Sequence, residues 1–204
     1  PQPDIFEGVW SRKGMRGHFA MTTTREVWSS AIASAIAAIP DADLVRAAEV
    51  ILSAQRLLTA GNGGSSAIAS HAAQAIGKPN HYPGGGRAAV CLTDSIPTLT
   101  AHANDGGWPS VLEEAARPFL AVVKETCLLA ISSSGRSENV VRVARLFRDA
   151  GRPVIALMGF EGEPLRSLAT VSLHVDSSDY EVVEPVHDAL IHRIQYHVRC
   201  LGRA

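Results

Sequence analysis

Gly61-Asn62-Gly63-Gly64-Ser65-Ser66 follows the apolar run Arg56-Leu57-Leu58-Thr59-Ala60 and opens an Ala-rich helical segment. About seventy positions later Ser132-Ser133-Ser134-Gly135-Arg136-Ser137 occupies the same kind of place, after Thr126–Ile131 and before an amphipathic stretch. A glycine-rich turn lets backbone approach an anion closely, and the helix behind it aims unpaired N–H groups and a positive dipole end at that anion. Serine hydroxyls add neutral donors. This suits a terminal phosphate on a small molecule. Neither loop is a Walker A sequence, since no Gly-Lys-Ser/Thr closes it, and Gly61-Asn62-Gly63 lacks the dinucleotide spacing. Taken singly, either loop could be an ordinary Gly/Ser turn; as a pair at strand ends they point to phosphate binding.

Working outward, apolar strand-like runs alternate with helical periodicity. Helices are expected over Thr22–Pro40, with Val27, Ile32, Ile36 and Ile39 on one face, and from Asp41, as cap, to Gln55. Strands are expected at Arg56–Ala60, Ala88–Leu92, Thr126–Ile131, Pro153–Met158 and Val171–Val175. Between them come helices at Ser66–Ile76, Asp94–Ala103, Ser110–Val123 and Ser137–Ala150, a helical turn at Leu165–Ala169, and a last helix at Glu184–Cys200. Lys78–Gly86 is a Pro/Gly loop. In the helix from Ser137, Val140, Val143, Ala144 and Phe147 form the inner stripe, with Arg142, Arg145 and Arg148 largely outside. The alternation predicts an α/β three-layer sandwich, a five-stranded parallel sheet with helices on both faces, preceded by N-terminal helices. Ligands of such folds sit at the carboxyl ends of the strands, where both loops fall.

The 204 residues suffice for one well-buried α/β domain, and 46% hydrophobic residues predict a packed core. A net charge of −1 without a basic block argues against nucleic acid as partner. Cys91, Cys127 and Cys200 lack metal-type spacing, and the first two read as buried thiols of a reducing, cytoplasmic protein. No stretch approaches the ~20 apolar residues of a membrane span. Residues 1–21 are set apart as an extension (tag, leader remnant or ordered arm) without a secretory h-region, and 22–204 as the domain proper.

Gly61-Asn-Gly-Gly-Ser65, His71, Asn104-Asp105, Ile131-Ser-Ser-Ser-Gly-Arg-Ser137 and a final helix with His187 and His192 together resemble the sugar isomerase (SIS) domain family, most closely its phosphoheptose isomerases, over about residues 25–200. The resemblance implies a Rossmann-like fold, a homotetramer with active sites shared between subunits, and zinc in some members. It also implies ketose-phosphate to aldose-phosphate isomerisation, with sedoheptulose 7-phosphate or a close analogue as substrate and D-glycero-D-manno-heptose 7-phosphate as product. On this resemblance Ser132, Ser133, Ser134 and Ser137, with Ser65, hold the phosphate, Asp105 orients substrate hydroxyls, and His71 and His192 are the site imidazoles; Asn62 and Gly63 of the first loop are read as further substrate-binding residues.

Two positions depart from the family pattern. Ala75, preceded by Gln74, stands where the catalytic Glu belongs, and Glu184 replaces a Gln on the last helix. Read together, a carboxylate has left one helix and appeared on another. Enediol chemistry needs a base beside the carbonyl and an acid for its oxygen. Glu184 and His192 can fill these roles in either order. His71, Glu184 and His192 could also hold Zn²⁺ with one open position. Glu184, Asp188 and His192 recur every four residues and share a helix side; Pro185 is expected to be tolerated at a helix start. His187 reads as a structural histidine and Asp188 as a favourable charge near a helix N-terminus. His102 is an outside candidate for the site, Lys78 a substrate contact or a solvated loop lysine, Arg136 a phosphate neighbour, and Trp108 an interface anchor or core residue. Ala75 keeps a second reading open, a non-catalytic SIS module that binds sugar phosphates or protein partners. A Schiff-base aldolase is disfavoured, since no lysine stands in an apolar strand.

Overall fold

A computed structural model describes residues 24–78 and 87–202. The expectations for residues 1–23 and for most of the Lys78–Gly86 loop lie outside these. In chain order the elements are α1 (Arg25–Ala38), α2 (Asp41–Ser53), β1 (Arg56–Ala60), α3 (Gly64–Gly77), β2 (Ala88–Cys91), α4 (Ile96–Gly106), a 3₁₀ turn (Trp108–Ser110), α5 (Val111–Val122), β3 (Thr126–Ile131), α6 (Glu138–Asp149), β4 (Val154–Met158), α7 (Leu165–Leu168), β5 (Val171–His174) and α8 (Tyr180–Leu201).

All five strands are parallel, in the order β2-β1-β3-β4-β5. Alternation of side chains splits the interior into two cores. Leu57, Cys127, Leu129, Ile131, Ile155 and Leu157 pack toward α2, α3 and α8. Leu58, Leu128, Ala130, Val154, Ala156 and Met158 pack toward α5, α6 and α7. Burial on both faces explains the continuous apolar runs. Val140, Val143, Ala144 and Phe147 of α6 are fully buried, as its periodicity requires.

The strand order reverses direction between β1 and β3. The helix after β1 crosses to one face and the helix after β3 to the other, opening a crevice at the carboxyl ends of these two strands. The Gly61 and Ser132 loops are the two segments that leave these strand ends.

One expectation is corrected by this architecture. The last helix begins at Tyr180, with Asp179 as cap, so Pro185 lies inside it and not at its start. Proline has no N–H to give to the carbonyl four residues back. That carbonyl, of Glu181, instead accepts a hydrogen bond from Trp28 Nε1 of α1 at 2.9 Å. The indole thus occupies the acceptor that the proline leaves unused and fastens α1 to α8. The helix after the first loop likewise begins at Gly64 and not Ser66, which makes Gly63 its cap and Gly64 its first residue.

Candidate active site

A cavity of about 270 Å³ lies in the crevice between β1 and β3. Asn62, Gly63, Gly64 and Ser65 line it from the first loop, Ser132, Ser133, Ser134 and Ser137 from the second, with Ile131 at its base; Tyr180 and Glu184 reach it from α8. Gly63, at φ 53°, makes the turn that a residue with a side chain would resist. The N–H groups of Ser66 and Ala67 bond back to Asn62 and Gly63 carbonyls, so Gly64 and Ser65 carry the α3 N–H groups left for a ligand. Ser133 Oγ is buried without a partner among the described residues, a hydroxyl available to an anion.

Glu184 enters this cavity because Gly64 has no side chain: a methyl group there would overlap the Glu184 carboxylate. Burial, and secondarily the negative charge of Glu181, raise the Glu184 pKa above the usual carboxylate range. Asn62 has a further role. Its side-chain amide is paired reciprocally with that of buried Asn139, at 2.8 and 2.9 Å. This pair locks the first loop to the start of α6, leaving the Asn62 backbone rather than its amide at the cavity wall.

α3 and α8 lie side by side and parallel. Gly64 meets Glu184, His71 meets Asp188, and Gln195 Nε2 donates to the Ala75 carbonyl at 3.0 Å. Along this seam His71 Nδ1 is 2.8 Å from Asp188 Oδ1, and the His71 and His192 rings are 4.9 Å apart between centroids at 61°. The ligand atoms of His71, Asp188 and His192 lie within 4.8 Å of one another. Two imidazoles and a carboxylate at that separation fit a divalent cation such as Zn²⁺. Neither His71 nor His192 lines the serine cavity. The expected trio therefore divides: Glu184 stands with the serines, and the imidazoles stand with Asp188, which is one helical turn or ~6 Å further along α8, with His192 a second turn beyond it.

Other expected residues lie apart from both groups. Asp105 is exposed at the end of α4, accepting from Asn104 Nδ2 at 3.1 Å. Arg136 pairs with Glu161 across two exposed loops. Trp108 is 53% exposed, and Lys78 is exposed. His187 is wholly buried, and desolvation lowers its pKa to about 4. Asp188's contact with His71 and Tyr180's place in the cavity did not emerge from the sequence. Both share the helix side of Glu184, so an earlier helix start would have exposed the second. A larger open cleft of about 540 Å³ between α5 and α6 holds no imidazole, and its Arg142 is already paired with Glu113 at 3.0 Å. Its size does not outweigh the chemistry of the smaller cavity.

The SIS domain profile matches residues 21–159. The chain belongs to the SIS family. Among SIS relatives, the phosphoheptose isomerase of Aliarcobacter butzleri is 31% identical over 148 residues, 72% of this chain and 77% of that protein. The lincomycin biosynthesis protein LmbN of Streptomyces lincolnensis is 34% identical over 152 residues. That match takes in 72% of this chain but only 55% of LmbN, so the chain spans about half of that relative. The structure of the Neisseria gonorrhoeae phosphoheptose isomerase superposes with a TM-score of 0.75 at 29% identity, covering 87% of this chain and 94% of that one. The family and the five-stranded SIS architecture expected from the sequence are thereby established. Among the described residues no helix is long and apolar enough to cross a membrane.

Proposed function

We propose that this chain is a phosphosugar isomerase of the aldose–ketose type, interconverting sedoheptulose 7-phosphate, or a close analogue, and D-glycero-D-manno-heptose 7-phosphate. Phosphoheptose isomerase relatives support the reaction class. The observation that carries the mechanism is the Glu184 carboxylate, seated over Gly64 in the cavity of the serine turn.

In this reading the hydroxyls of Ser65, Ser132, Ser133, Ser134 and Ser137, with the N–H groups of α3, hold the phosphate. Glu184 takes the proton from the carbon beside the carbonyl and returns it to the neighbouring carbon. Its raised pKa makes it a stronger base than an ordinary carboxylate. His192 protonates the carbonyl oxygen and recovers the proton from the adjacent hydroxyl. Were a divalent ion held by His71, His192 and a carboxylate, it would polarise that oxygen in place of the His192 proton. Asp105, outside its own chain's cavity, is assigned to substrate hydroxyls across a subunit boundary, in a cytoplasmic homotetramer with shared sites.

Incubation with C5 to C8 ketose phosphates, following aldose formation, tests this reading. Turnover of a seven-carbon substrate is the expected result. Binding of the sugar phosphate without turnover would favour the non-catalytic module that Ala75 keeps open.

A further inference from the structure

We infer that Asp188, and not Glu184, supplies the carboxylate of a divalent-cation site with His71 and His192. This rests on the isomerase reading and refines the ligand set assigned to it. Ala75 presents no ligand from α3, and its carbonyl is taken by Gln195. The carboxylate that α3 lacks stands across the seam on α8, where Asp188 Oδ1 is 2.8 Å from His71 Nδ1. Its partner His192 lies one further turn along the same helix side, and the three ligand atoms fall within 4.8 Å of one another.

Ligand atoms around a tetrahedral Zn²⁺ are separated by about 3.3 Å, given bonds near 2.0–2.1 Å. The present hydrogen-bonded separation is shorter by roughly half an ångström, so an ion replaces the shared proton with a small spreading of the two side chains. Asp188 and His71 have room for that movement, with side chains 46% and 35% exposed. Glu184 is engaged elsewhere, in the serine cavity against Gly64. The division has a consequence: a carboxylate that also bound the ion would be a poor base, because the cation would hold it deprotonated and lower its basicity. Placing the ligand at 188 leaves 184 free to accept a proton.

The test is metal content, read apart from activity. Chelator-stripped wild type, D188N, D188A and E184Q are each equilibrated with one equivalent of Zn²⁺ per chain, passed through a desalting column and assayed for bound ion. Co²⁺ loading provides visible d–d bands as a second readout. Wild type and E184Q are expected to retain about one ion per chain, while D188N and D188A weaken binding by about 100-fold or more. Circular dichroism melts confirm that the variants are folded, which the exposure of Asp188 favours. Failure of wild type to hold Zn²⁺, loss of the ion in E184Q, or its retention in both Asp188 variants overturns the proposal. Turnover by stripped wild type would leave the isomerase standing while removing the ion from its mechanism.

Discussion

Helices α6 and α8 both follow a strand, both pack a buried stripe against the sheet, and both carry charge elsewhere. They differ in where that charge goes. On α6, Arg145 and Arg148 point to solvent, and Arg142 meets Glu113 on the neighbouring helix. On α8 the polar ridge of Glu184, Asp188 and His192 runs along the seam with α3, Glu184 and Asp188 half-buried and His192 exposed, against a missing side chain at Gly64 and an imidazole at His71. Charge kept at a helix–helix seam is costly unless something requires it. The contrast separates a helix built for the fold from one that also carries chemistry.

The sharpest way to break this contrast is to neutralise one carboxylate on each helix. E184Q is expected to lower kcat by ~10²- to 10⁴-fold, the usual range for a lost general base. E138Q on the exposed start of α6 should leave kcat within error, as steady-state assays would reveal. A second comparison uses two glycines of one loop. A methyl on Gly61 overlaps the backbone of Ser65 and Ser66, whereas on Gly64 it meets only the movable end of Glu184. G61A should therefore cost stability, about 1–3 kcal/mol in denaturant titrations. G64A should keep the melting temperature close to wild type and lower kcat about tenfold or more by displacing the base.

The buried side of α8 predicts an acid-sensitive stability. Unfolded His187 binds a proton below about pH 6.5, while the folded residue, held at about 4 by desolvation, does not. Stability is therefore fully present above that range and is lost as pH falls from 6.5 toward 4, by about 3 kcal/mol if His187 acts alone. Denaturant melts across this range should show the slope, and H187F should flatten it. The smallest effect concerns Glu181, whose charge contributes to the raised Glu184 pKa. Glu184 must be ionised to act, so kcat/KM falls as pH drops through that pKa, and E181Q should move the acid limb to lower pH. An unmoved limb would detach it from Glu184.

The sheet was legible because every strand is a short apolar run between turn signals, and both phosphate loops were legible because their glycines and serines sit directly after β1 and β3. The start of α8 was misread for a physical reason. Pro185 is a start signal in the sequence, and nothing local announces that Trp28, over 150 positions away, accepts the role of the missing N–H. The split between Glu184 and the imidazoles was hidden for the same kind of reason. Spacing puts 184, 188 and 192 on one side of a helix, but which of them meets His71 depends on how α3 lies along α8.

The most direct test of a base at position 184 is exchange of substrate hydrogen with solvent. Wild type and E184Q are mixed with sedoheptulose 7-phosphate in D₂O, and deuterium entry beside the carbonyl is followed by NMR. Wild type should incorporate deuterium, while E184Q, binding the sugar phosphate as tightly, should do so ~100-fold more slowly or worse. Exchange by E184Q at the wild-type rate would contradict the account.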